Sequence, residues 1–176
     1  MAIKTINYNE SLKYYLKDCN EYFRKECHTN TFQKFFDCNI EEVEKNSNAF
    51  KYSIGLLIND SGKEKICYIH SWVEKNGAVI DVTPFANLFI TNETCLEGPE
   101  YESVKESICE AKYLAIKTIS NAGLNKQLQE TYYNSRGSLT PGKALENLVR
   151  KWIAEVENDN FVQKQILEFG YNFIKD

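Results

Sequence analysis

The first fifty residues contain neither proline nor glycine, so no glycine turn or proline break punctuates the opening third of this 176-residue chain. Boundaries there must be read from the phase of the apolar residues alone. The N-terminus, Met-Ala-Ile-Lys-Thr-Ile-Asn-Tyr-Asn-Glu, has no apolar core of an export signal, and no run reaches the length of a membrane span. A cytoplasmic protein with no membrane partner is therefore expected. Six cysteines are present, yet none form a Cys-x-x-Cys pair. That removes the main signal for zinc ribbons and thioredoxin-like chemistry, and without an export signal reduced thiols are expected. A basic stripe is also missing: the net charge is −4 with both signs interspersed, which argues against a nucleic-acid partner. With 43% hydrophobic residues the chain can bury one real core, as one domain or one domain with an appended subdomain.

What is there begins with helix. Asn9 can cap a helix carrying Leu12, Tyr15, Leu16, Cys19, Tyr22 and Phe23, and a second helix beginning near Cys27 carries Phe32, Phe35, Phe36, Ile40 and Val43 up to the Asn46-Ser47-Asn48 loop. Sheet follows. Lys51–Asn59, Lys65–Glu74 and Val79–Thr83 read as three strands of an antiparallel meander, with Gly55 marking a bulge or a close backbone approach. Pro84 limits the third strand, and Phe85–Leu96 reads as an edge strand or a loop over the sheet. From Glu102 a helix with Val104, Ile108, Ala111, Ala115 and Ile119 on one face is expected to stop at Gly123, followed by a short helix over Leu124–Tyr133. Thr140-Pro141 caps another, with Ala144, Leu145, Leu148, Val149, Trp152, Ile153 and Val156 at core spacing, and a last helix carries Val162, Ile166, Phe169 and Phe173. The expected fold is α+β: N-terminal helices on a small antiparallel sheet over 1–100, and a helical extension over 101–176.

The most informative stretch is Ile66 to Thr83, where two β-rich runs flank Asn76-Gly77. A two-residue type I′ turn there pairs Lys75 with Ala78, Trp72 with Asp81 and His70 with Thr83. His70 and Asp81 then share a face one diagonal step apart, roughly 7–8 Å between backbones, which an imidazole and a carboxylate can close. A base and its orienting carboxylate call for a nucleophile. Cys27 suits best, because a helix start favours thiolate and offers free N–H groups to a developing oxyanion. Cys38 lies too far along the helix, Cys67 points to the opposite strand face from His70, and Cys19 and Cys109 fall in or beside apolar stripes. His28 reads as a first-turn surface residue.

Cys27-His28-Thr29-Asn30 opening a helix, Tyr52-x-x-Gly55 on a strand, His70-Ser71-Trp72-Val73-Glu74 and Val79-Ile80-Asp81-Val82-Thr83 together resemble the core of the papain-like and transglutaminase-like thiol enzymes, over residues ~20–90. The resemblance implies Cys27 as nucleophile, His70 as general base and acid, and Asp81 as the group that orients the imidazole. It places Trp72 beside the site and Thr83 in support of Asp81. The side-chain oxyanion donor of those families has no clear match; Asn20 and Asn30 are the nearby amides. A cysteine hydrolase or acyltransferase acting on an amide or ester bond of a peptide or protein substrate, with no cofactor, is expected. The alternatives are an inactive relative serving as a binding or inhibitory module, and a zinc site joining Cys67 and His70 to Cys27, His28 or Cys38.

Overall fold

The computed structural model describes residues 2–60, 65–88, 90, 96–136 and 138–168. Five antiparallel strands, β1 (Ile3–Thr5), β2 (Phe50–Asp60), β3 (Lys65–Lys75), β4 (Ala78–Ile80) and β5 (Lys112–Ser120), form one sheet in the order β1-β5-β2-β3-β4. The two edges then meet: Ile6 bridges Val79, and the Asn7 N–H donates to the Val79 carbonyl at 2.9 Å. This curls the sheet toward a small barrel, and closure of that kind removes the exposed edges that invite aggregation.

Strand alternation gives the sheet two different faces. The enclosed face is polar at its centre: Lys4 reaches from β1 across to Glu74 on β3 at 2.6 Å, and Glu74 also accepts from Ser53 at 3.2 Å and Trp72 at 3.4 Å. A buried carboxylate is tolerated here because three donors, one of them a cation, replace its water. The outer face is aromatic and lies under helices. Phe32 stacks between Tyr52 and Trp152, with centroids 5.7 and 5.6 Å away, and Phe35 packs on Phe50.

The helices fall on and around this barrel. They are α1 (Tyr8–Lys17), α2 (Cys27–Thr29), α3 (Phe35–Cys38), α4 (Ile40–Lys45), α5 (Thr83–Asn87), α6 (Pro99–Glu110), α7 (Asn121–Asn134), α8 (Pro141–Glu157) and α9 (Asn160–Glu168). A π-helical turn, Asn30–Lys34, joins α2 to α3 without a break. Such turns are rare and concentrate at functional sites. The expected stripe on α8 is the one that packs: Ala144, Leu148, Val149, Trp152 and Val156 are buried. Val162 and Ile166 of α9 are buried too, whereas Phe169 and Phe173 lie outside the described residues.

Four expectations need correction. Residues 112–120 are the strand β5 in the middle of the sheet, not the continuation of a helix, so the division at residue 100 into a core and a purely helical extension does not hold. Gly123 does not stop a helix; it lies in the first turn of α7, its N–H donating to the Ser120 hydroxyl at 3.1 Å. The third strand stops at Ile80, and Thr83 begins α5 instead of pairing with His70, because proline is well suited to a first helical turn. Finally, α1 is capped by Asn7 and ends before Cys19, Tyr22 and Phe23. The expected strand at 88–91 falls mostly outside the described residues, which include Leu88 and Ile90.

Gly55 fulfils both readings of its place on β2. The ladder with β5 shifts register between Ile54 and Gly55, and a Cβ at Gly55 would lie 2.0 Å from the Leu114 carbonyl oxygen.

Candidate active site

Asn76 and Gly77 both take positive φ, 51° and 85°, which is what a type I′ turn requires. The ladder accordingly runs Lys75 to Ala78, Glu74 to Val79 and Val73 to Ile80. One step further Asp81 lies beside Trp72, with His70 diagonally across the same face. The diagonal is closed by a hydrogen bond of 2.6 Å between His70 Nε2 and Asp81 Oδ2.

Asp81 is held on every side. Its Oδ1 accepts the Thr83 N–H at 3.0 Å, its Oδ2 accepts the Tyr113 hydroxyl at 2.8 Å as well as the imidazole, and its own N–H donates to the Ser11 hydroxyl at 3.1 Å. Thr83 thus supports the carboxylate through its backbone. Burial, then the neighbouring Asp81 charge, pushes the Tyr113 phenol far above its ordinary value, so it stays a neutral donor. Rings enclose the imidazole: Trp72 lies nearly parallel at 6.4 Å between centroids, Tyr68 is edge-on at 5.6 Å, and Tyr113 stands at 6.1 Å. Trp72, expected beside the site, thus lies against the His70 ring.

Cys27 opens α2, and this helix start meets β3 where the latter has no outer neighbour, since β4 pairs only with residues 73–75. Cys27 acts on His70 while His28 Nδ1 lies 2.6 Å from the Ser71 hydroxyl. Because His70 and Ser71 point to opposite faces, the first turn of α2 must straddle that strand edge. With Nε2 of His70 committed to Asp81, the nitrogen left for sulfur is Nδ1. It is buried and has no completed hydrogen bond, although the Cys27 thiol is near enough for each charge to act on the other. Catalytic hydrogen bonds are often loose before substrate arrives.

The electrostatics follow from this arrangement. Burial pushes the Cys27 thiol up, but the His70 charge and the neighbouring His28 imidazole outweigh it and bring the thiol down to about 6. Burial opposes the His70 cation, and the charges of Asp81 and Cys27 overcome it, raising the imidazole to about 10. Both shifts favour the thiolate and imidazolium over the neutral pair.

The two amides expected as oxyanion donors are elsewhere engaged or placed. Asn30 is fully buried and accepts the Phe23 N–H at 2.8 Å while donating to the Phe23 carbonyl at 2.7 Å and the Thr83 hydroxyl at 3.3 Å. It anchors the chain entering Cys27, as does Asn87, which accepts the Lys25 N–H at 2.7 Å. Asn20 is exposed on a single turn, Cys19–Glu21, and makes no hydrogen bond with the triad among the described residues. Replacing Asn30 by Ala is expected to destabilise the protein by about 3 kcal/mol, since it orphans buried polar groups on two segments, and urea denaturation measures that loss.

Cys67 is buried on the strand face opposite His70, so the pair expected of a zinc site does not converge; among the described residues no group of three or more His, Cys, Asp or Glu is placed to hold a metal ion. A cavity of about 280 Å³ opens onto the His70 side of the triad, walled by Leu57, Tyr68, Val104, Ile108 and Tyr113. No helix among the described residues is long and apolar enough to cross a membrane. Three site residues escaped the sequence reading. Tyr113 falls in a segment that reads as helix, Ser11 carries no signal at all, and His28, which reads as a first-turn surface residue, is half-buried beside Cys27. Comparison with family models, curated proteins and solved structures finds no match for this chain.

Proposed function

We propose that this protein is a cysteine hydrolase or acyltransferase of papain-like or transglutaminase-like architecture, acting on an amide or ester bond through Cys27, His70 and Asp81. The observation that carries the reading is the orientation of His70: one ring nitrogen is locked on a buried carboxylate, and the other is left facing a thiol at a helix start. A structural His–Asp pair has no need of that third member.

The chemistry follows from where protons reside. The Cys27 thiolate attacks the carbonyl carbon, a C–S bond forms, and the carbonyl electrons move onto oxygen. As the intermediate collapses, the C–N or C–O bond breaks and the leaving group takes the proton from His70 Nδ1. Water or an amine then attacks the thioester, gives its proton to Nδ1, and the thiolate departs. Asp81 keeps the Nε2 proton throughout and stabilises the imidazolium. No cofactor enters these steps. A peptide-like substrate suits the cavity, which combines apolar walls with Asn59, whose buried Oδ1 has no partner and would accept a substrate N–H.

The test is selective alkylation. Iodoacetamide is expected to modify Cys27 with a rate that rises through pH about 6 and then levels off, while other accessible thiols react appreciably only near their ordinary value, about 8.5. Uniform labelling across the accessible cysteines, read by peptide mass mapping, contradicts the reading. The burial of Cys27, only 8% exposed, favours the second reading of an inactive relative that binds partners. That reading gains if Cys27→Ala leaves biological activity intact.

A further inference from the structure

The proposed chemistry lacks a side-chain donor for the oxyanion, and the structure holds a group that fits the role. His28 follows Cys27 directly, is half-buried, and is fixed by a 2.6 Å hydrogen bond between its Nδ1 and the hydroxyl of Ser71, a residue with no exposure at all. With Nδ1 held there, the ring nitrogen left free for the neighbouring Cys27 sulfur is Nε2. A thiolate only accepts, so Nε2 must carry a proton to bond it, and Nδ1 must then accept the single proton of Ser71. Ser71, whose hydroxyl can donate as well as accept, accommodates that tautomer and fixes the orientation of His28.

The sulfur is thus flanked by two imidazoles in different circumstances. His70 is buried, charge-coupled to Asp81 and able to give a proton away. His28 is anchored by a neutral hydroxyl, has no carboxylate behind it, and keeps its Nε2–H as a fixed donor. We propose that His28 is a second catalytic residue, whose Nε2–H hydrogen-bonds the oxyanion that forms when Cys27 attacks the substrate carbonyl, with Ser71 as its positioning residue. On attack the thiolate charge passes to the carbonyl oxygen, two bonds from the sulfur. A donor beside the sulfur reaches that charge with a small ring movement, and no proton is transferred in doing so. The proposal rests on the thiol acyl-transfer reading and supplies its missing part.

Two reactions of the same sulfur separate the roles. Acylation by p-nitrophenyl acetate passes through an oxyanion; alkylation by iodoacetamide does not. His28→Phe is expected to slow Cys27-dependent acylation about 10²- to 10³-fold, the loss typical of one oxyanion donor. Its limiting alkylation rate at high pH, where the thiol is ionised in every variant, is expected to fall by less than about tenfold. His28→Gln retains an amide donor and is expected to recover about tenfold or more of the lost acylation, while Ser71→Ala shows a smaller loss of the same kind as His28→Phe. Equal losses in acylation and alkylation, or undiminished acylation in His28→Phe, overturn the proposal while leaving the thiol enzyme intact. A wild-type protein with no Cys27-dependent acylation overturns the underlying reading, and this one with it.

Discussion

Asp81→Asn is expected to slow Cys27-dependent acyl transfer by on the order of 10³- to 10⁴-fold while leaving the barrel folded, an effect comparable to the loss of the orienting carboxylate in other nucleophile–histidine systems. The size follows from the number of donors aimed at this side chain. Both oxygens of Asp81 are acceptors, Oδ1 for the Thr83 N–H and Oδ2 for Tyr113 and His70. An asparagine must turn its amide N–H toward one of these sets. Facing Thr83, it opposes a backbone N–H that cannot move. Facing His70, it forces the imidazole into the tautomer with its proton on Nδ1, and the base can then accept nothing from water or amine. The pH profile provides a second reading of the same variant. Without the Asp81 charge the His70 cation weakens, the thiolate loses its strongest partner, and the midpoint of Cys27 alkylation should climb from about 6 toward the ordinary thiol value. An unchanged profile would show that Asp81 does not govern the imidazole. Tyr113→Phe makes the milder version of this experiment, removing one donor and no charge.

The parts of the site that could be read from the residues are those whose geometry is local. Asn76-Gly77 dictates its turn by backbone sterics alone, and from that turn the pairing of Trp72, and hence the diagonal between His70 and Asp81, follows by counting. Cys27 was legible for a similar reason, because helix phase marked a start near it. What was missed depends on partners distant in sequence. Ala111 just before β5, and Ala115 and Ile119 within it, fall at spacings that fit a helix continuing from Val104 and Ile108, and neither glycine nor proline separates β5 from α6. Only its position between β1 and β2 makes it a strand, with tertiary pairing overriding the local pattern. Tyr113 was lost along with it. β1 is three residues long and gains its identity wholly from β5. His28 presents a different case: the residue was visible, but its role depends on Ser71, 43 positions away, and on a helix start that straddles a strand edge.

Gly55 shows how closely fold and site are joined, and its replacement carries the largest expected loss of stability. The three atoms nearest an added Cβ are all backbone: the Leu114 oxygen at 2.0 Å, and the Ile116 nitrogen and the Leu114 carbon at 2.9 Å. No side chain can rotate away to relieve this, so Gly55→Ala must push β2 from β5 and break ladder hydrogen bonds on both sides of the bulge. A loss of about 4 kcal/mol or more is expected, a large share of the 5–15 kcal/mol that holds a domain together, and it should appear as a fall in Tm of about 10 °C or more. The damage should not stop at stability. Gly55 pairs with His70 on one side and with Ala115 on the other, two residues beyond Tyr113. A displaced β2 therefore moves the strand that presents the imidazole and the strand that presents the phenol holding Asp81, so Cys27 reactivity should fall even at temperatures where Gly55→Ala remains folded. Gly142→Ala is the matched control: it lies in the first turn of α8, takes no positive φ, and an added Cβ there meets nothing within 4 Å. Alanine at that place should be neutral or slightly stabilising, by up to about 1 kcal/mol, because it removes glycine's freedom in the unfolded chain. Similar thermal shifts for the two variants would mean that the close approach of β2 and β5 at the bulge is not what requires glycine.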